Sequence, residues 1–144
     1  MVDERVDVAV SLVNTDNREL LERCLRSIPL ACSGLSWRAT VVDNASGDGS
    51  AEMVAELFTW AELLRNDRRL GFSANHNQVI EPALDAETAR YVLILNEDTE
   101  LDPHAVTTLV EVADSRPRLG AVGPTIYGSD GRTQPSYDRF PTLR

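Results

Sequence analysis

The sequence predicts a doubly wound α/β domain, a mostly parallel sheet with helices on its flanks. Three observations predict it. Short, β-branched apolar runs of strand length alternate with segments whose apolar residues recur at helical spacing. Those runs are apolar almost throughout, the pattern of strands buried on both faces. Polar clusters follow three of the runs at their C-terminal ends, where ligands bind in such sheets.

Val6 to Val13 (VDVAVSLV) is the first strand. Asp16 then stands three residues before Glu19, the spacing of a capping box, and Leu20, Leu21, Cys24, Leu25 and Ile28 follow at helical intervals; Pro29 is expected to end that helix. Arg38 to Val42 is the second strand. The run from Asp43 to Ser50 is dense in turn and cap residues, with Ser50 expected to cap a helix carrying Met53, Val54 and Leu57. A short strand around Glu62 to Leu64 leads to the polar segment Arg65 to Gly71, and another helix begins near Ser73. Tyr91 to Leu95 (YVLIL) is the most strand-like stretch, with Glu97, Asp98, Glu100 and Asp102 crowded behind it. Asp102-Pro103 reads as an N-cap followed by Pro at the first helical position, opening a helix with Ala105, Val106, Leu109, Val110 and Val112 inward, stopped by Arg116-Pro117. Ala121 and Val122 form a further short strand, and Gly123 to Arg144 reads as an irregular tail or a hairpin.

With 144 residues, 42% of them hydrophobic, the chain is expected to form one domain over 1–144 with a real core. Net charge is −9 and all 14 basic residues are Arg, without the clustered basic stripe that phosphate-backbone recognition needs, so nucleic acid is excluded as a partner. Cys24 and Cys32 are too few for a disulfide framework or a zinc site and read as buried thiols. Met1 to Arg5 is acidic and polar where a signal peptide would be basic and then apolar, and no apolar run approaches the ~20 residues of a membrane span. A cytoplasmic location is therefore the expectation. His76 and His104 have no acid or second His at metal-ligand spacing and are assigned surface or helix-start roles; Trp37 and Trp60 are assigned to packing.

The three polar clusters are Asn14-Thr-Asp16, Asp43-Asn44 and Asn96-Glu97-Asp98, which a parallel sheet brings together. Here the chain resembles the family 2 glycosyltransferases of GT-A fold, through VSLVNTDNRELLERCLRSI, VVDNASGDGS, LGFSANHNQVI, LILNEDTEL and the tail GRTQPSYDRFPTL, five strings in the family's order. The tail and the Asn-x-Asp form of the metal motif resemble the rhamnosyltransferase-like branch. The resemblance implies a nucleotide-sugar donor, dTDP-rhamnose or a UDP-sugar, a glycan or lipid-linked acceptor, and peripheral membrane association through that acceptor. It assigns nucleotide binding to Val13, Asn14, Asp43, Asn44, Asn77 and Asn96. Asp43 would accept the imide N–H of uracil or thymine, the alternative being that it caps the following turn; Ser46, Asp48 and Ser50 are on hand for that capping. In the Asn96-Glu97-Asp98 motif, Asp98 would hold Mg²⁺ or Mn²⁺ against the diphosphate, because a hard cation takes oxygen ligands and neutralises the leaving group. Asn96, replacing the first Asp, would touch ribose or act through water. Arg65, Arg68 and Arg69 are expected to be exposed loop residues.

Two other enzyme classes fail on single residues. An aspartyl-phosphate phosphatase needs a carboxylate where Asn96 stands, and a dinucleotide-binding module needs a Gly-x-Gly-x-x-Gly after the first strand. The remaining alternative is a noncatalytic donor binder. In the resembling family the acceptor base lies beyond the matched strings, so a chain truncated before its acceptor-binding half is expected to bind donor without transferring sugar. Glu111, Asp114, Asp130 and Asp138 do not stand in a base-like segment, Asp138 coming nearest. An unpaired sheet edge is expected to favour self-association.

Overall fold

The structure, a computed structural model, describes residues 5–135. The chain divides after Thr107 into two compact units. In the first, β1 (Val6–Asn14), β2 (Trp37–Asp43), β3 (Ala61–Arg65) and β4 (Ala89–Asn96) form one sheet in the order β3-β2-β1-β4, every pair parallel. The crossovers are α1 (Arg18–Ala31), α2 (Ser50–Leu57) and α3 (Phe72–Asp85). The helix α4 (Ala105–Asp114) begins in the first unit, and the second holds an antiparallel hairpin of β5 (Ile126–Tyr127) and β6 (Thr133–Gln134).

β1 is an interior strand and is buried on both faces for that reason: Val8, Val10 and Leu12 on one, Ala9 and Ser11 on the other. Leu21, Cys24, Leu25 and Ile28 line the buried stripe of α1, while Val41 and Val42 of β2 and Met53 and Val54 of α2 complete the core. Each such aliphatic side chain contributes ~1.5–3 kcal/mol by leaving water. Trp37 and Trp60 meet edge to face, centroids 5.1 Å apart, where β2 and β3 begin. At the amino ends of the strands, Asp7 accepts from the Ser36 N–H (2.9 Å) and Oγ (2.8 Å) and from Arg90 (2.7 Å). The Arg90 hydrogen bond, with those from Ser36, holds the Asp7 carboxyl down at about 2.

Several local expectations are corrected. The capping box at Asp16 does not form: Asp16 takes a left-handed φ of 54°, and the Arg18 N–H is instead accepted by Asp48 Oδ2 (2.9 Å) from the next loop. Asp48 also accepts from the N–H and hydroxyl of Ser50, so Ser50 is the first helical residue behind Gly49 and not the cap. The helix α1 does end near Pro29, at Ala31, where its last turn closes as the Cys32 N–H donates to the Ile28 carbonyl (3.0 Å). Asp102 starts a turn, its carbonyl accepting the Ala105 N–H (3.1 Å), and His104 at φ 62° delays α4 until Ala105. Ala121 and Val122 pair with nothing among the described residues and are exposed; two residues without a neighbouring edge make no strand. Among the described residues no helix is long and apolar enough to cross a membrane. The tail string from Ser136 onward, with Asp138, and the segment Met1 to Glu4 lie outside the described residues.

Candidate functional site

Strand order reverses at β1, with β2 and β3 on one side and β4 on the other, and ligands of parallel α/β sheets bind at the carboxyl ends beside such a switch. The three polar clusters meet there. In register, Asn14 stands beside Asp43 and Val13 beside Asn96.

Asn14 is fully buried and its side-chain amide donates to Ser46 Oγ (3.1 Å) and toward Asp43 Oδ1 (3.5 Å). A carboxylate only accepts, so this contact fixes which end of the amide faces Asp43. Among the described residues, Asn14 Oδ1 is left buried and without a donor. Asp43, also buried, accepts the Ser46 N–H at Oδ2 (3.1 Å). Asp43 therefore does cap its own turn, against the expectation that Ser46 would relieve it: Ser46 is the residue being capped. Among the described residues, its other oxygen keeps only the long contact to Asn14.

Asn44 does not face the same way. Its Oδ1 accepts the Leu70 N–H (2.7 Å), and its Nδ2 donates to the Leu70 carbonyl (3.2 Å) and Thr15 Oγ1 (3.1 Å). Asn75, buried on α3, adds a second donor to the Leu70 carbonyl (3.1 Å) and accepts from Asn66 (2.7 Å). Asp16 joins the same loops, accepting the Gly47 N–H (2.7 Å) and pairing with Arg69.

The acidic motif at the end of β4 is fastened to α1 at four points. Asn17 donates to Glu97 (2.8 Å), Arg23 pairs with Glu100 (2.9 Å), Ser27 Oγ accepts the Leu101 N–H (3.0 Å), and the Cys24 thiol donates to the Asn96 carbonyl (3.6 Å). Burial, with the nearby carboxylates Glu97, Asp98 and Glu100, pushes the Cys24 thiol up to about 12. Asp98 is exposed, and no partner binds its carboxylate among the described residues. No group of three metal-ligating side chains is present among the described residues. That donor set fits a Mg²⁺-like cation held by one or two carboxylates and completed by phosphate oxygens and water.

The site differs from expectation at His76, which is not at the surface: it is buried, its Nδ1 is 2.8 Å from Ser11 Oγ, its Nε2 has no partner among the described residues, and Phe72 packs on the ring at 4.4 Å. Asn77, one residue on, is exposed, and Val13 is half-buried. Arg65 pairs with Glu52 at 2.9 Å. Sequence reasoning missed Asn66 and Asn75; the signal available was an Asn at each end of the polar segment they bracket.

The Glycosyl transferase family 2 profile matches residues 7–143. The chain belongs to that family. Among its relatives, the N-acetylglucosaminyl-diphospho-decaprenol L-rhamnosyltransferase of Mycobacterium tuberculosis is 32% identical over 130 residues, covering 85% of this chain and 42% of the relative, so the chain spans less than half of that relative's length. The family 2 chain is thus rhamnosyltransferase-like. In fold it is similar to S. aureus TarS 1-349 (TM-score 0.64, 14% identity, 84% of this chain and 39% of that one). It is also similar to the mannosyltransferase PcManGT of Pyrobaculum calidifontis, solved with GDP-Man and Mn²⁺ (TM-score 0.59, 21% identity, 78% and 33%). The four-stranded parallel sheet with its flanking helices is the Rossmann-like sheet of the GT-A fold expected from the sequence.

Proposed function

We propose that this family 2 domain binds the nucleoside diphosphate of a sugar donor at the carboxyl ends of β1, β2 and β4, and supplies the donor side of an inverting glycosyl transfer. The observation that carries the reading is the last rung of β1 and β2, where the buried Asp43 stands beside the buried Asn14, whose Oδ1 has no donor among the described residues. Two buried acceptors there suit the imide N–H of a pyrimidine and a ribose hydroxyl.

Asp43 reads the base, Val13 and Asn14 flank base and ribose, Asn96 reaches the ribose directly or through water, and Asn77 lies toward the sugar. Asp98, with Asn96 beside it, would hold Mg²⁺ or Mn²⁺, which when bound supplies positive charge against the diphosphate oxygens. The acceptor hydroxyl attacks the anomeric carbon, its proton passing to an acceptor-side carboxylate. The bond from that carbon to the diphosphate breaks with its electron pair on the phosphate oxygen, inverting the anomeric configuration. Fold neighbours solved with UDP and UDP-GlcNAc support a nucleotide-sugar donor, and the name of the 32% identical relative supports rhamnose as the transferred sugar and a lipid-linked acceptor.

Calorimetric titration of UDP and dTDP tests the reading. Asp43→Ala is expected to weaken binding by ~1.5–3 kcal/mol, the range of a hydrogen bond to a charged group. Equal affinity in wild type and variant would overturn it.

A further inference from the structure

We propose that Asn44 and Asn75 are positioning residues: together they grip the peptide of Leu70 and set the loop between β3 and α3 as the wall of the donor site, without touching the nucleotide. The inference rests on the donor reading above.

Apart from the exposed Arg69–Asp16 ion pair, the loop has little else to hold it. At one end the Asn66 N–H donates to the Asp43 carbonyl (2.9 Å), and at the other the Asn75 N–H donates to the Gly71 carbonyl as α3 begins (3.0 Å). Between them, among the described residues, the backbone of Asp67, Arg68 and Arg69 makes no hydrogen bond; only Leu70 does, and its partners are side chains. Asn44 engages both the N–H and the C=O of Leu70, which is what a neighbouring strand would do, and Asn75 doubles the bond to the carbonyl. Both amides are buried, so water does not replace these partners at low cost.

The grip reaches the nucleotide site through the chain itself. Asn44 follows Asp43 directly, and its third bond, to Thr15, ties in the loop after β1 next to Asn14. One amide thus fixes the relative placement of the loops after β1, β2 and β3. Asn75 contributes from α3 and holds Asn66, the residue whose N–H extends the ladder from Asp43. Both side-chain N–H groups of Asn44 and its Oδ1 are engaged within the protein, so its effect on a ligand is exerted through the loop.

The experiment uses the full chain and three variants, Asn44→Ala, Asn44→Asp and Asn75→Ala, with amide hydrogen exchange at residues 66–71, calorimetric affinity for UDP, and the thermal midpoint. Asn44→Asp keeps an acceptor for the Leu70 N–H and loses both donated bonds. The expected result is faster exchange of the bonded Asn66 and Leu70 amides, by about tenfold or more in both Ala variants and less in Asn44→Asp, while β1 and β2 amides stay protected, with UDP affinity falling about tenfold in both Ala variants and less in Asn44→Asp. A purely structural role predicts a lower thermal midpoint with unchanged UDP affinity in the folded protein, and that outcome overturns the proposal. Unchanged loop exchange overturns it as well, whatever the affinities. Failure of the wild type to bind UDP or dTDP would remove the donor reading, and with it the assigned consequence of the grip, while the exchange data still show whether the grip exists.

Discussion

The side-chain amide of Asn17, at the mouth of α1, donates to the carboxylate of Glu97 at 2.8 Å. This bond, with the Arg23–Glu100 pair, sorts the acids behind β4: Glu97 and Glu100 fasten the loop to the helix, and Asp98 is left facing outward.

Asp98→Asn is therefore expected to abolish any strengthening of UDP binding by Mn²⁺, whereas Glu97→Gln, which still accepts from Asn17, keeps it. Paired titrations with Mn²⁺ and with a chelator measure this. A gain that survives in Asp98→Asn would place the cation elsewhere.

At the opposite end of the sheet, Asp7 is an acid-stability determinant. Its folded pKa of about 2 lies below the ordinary aspartate value of 3.8, so it stabilises the fold fully above about pH 4, and that contribution disappears as pH falls through about 2. Asp7→Asn should lower the urea midpoint at pH 7 and converge with wild type near pH 2. A constant difference across that range would show that the Ser36 and Arg90 contacts act through packing alone.

His76 works in the other direction. Desolvation lowers its pKa, so the folded ring stays neutral while the unfolded one takes up a proton below about 6.5. Stability should hold above that value and decline as pH falls below it, until the folded ring also protonates. His76→Gln can keep a hydrogen bond to Ser11 without titrating and should flatten the decline between pH 6.5 and 5. An unchanged pH profile in that variant would assign the decline to other groups.

The strands and helices of the sheet were readable because their signals are local: the apolar run at Val6 to Val13 and the periodic Leu21, Cys24, Leu25 and Ile28 depend on nothing distant. Convergence of Asn14, Asp43 and Asn96 followed from parallel topology. Partners across loops were not readable. Asp16 looked like a cap because its spacing to Glu19 fits one, but Asp48, thirty residues away, accepts the Arg18 N–H. Asn44 looked like a ligand contact because it adjoins Asp43, and only the path of the chain back to Leu70 reveals what its amide meets. His76, in a polar run, gave no sign that Ser11 in the central strand would receive it.

The position of β1 at the centre of the sheet also dictates an order of events during synthesis. Val8 can pair with Trp37 as soon as the second strand emerges, but its other edge waits for Tyr91. In the interval a nascent chain carries an apolar strand with one open edge, the kind of surface on which non-native strand pairing begins. Translation speed through the α3 region, and chaperone occupancy while it is being made, should therefore govern the yield of folded protein more strongly than substitutions on the β3 side, where pairing is complete early.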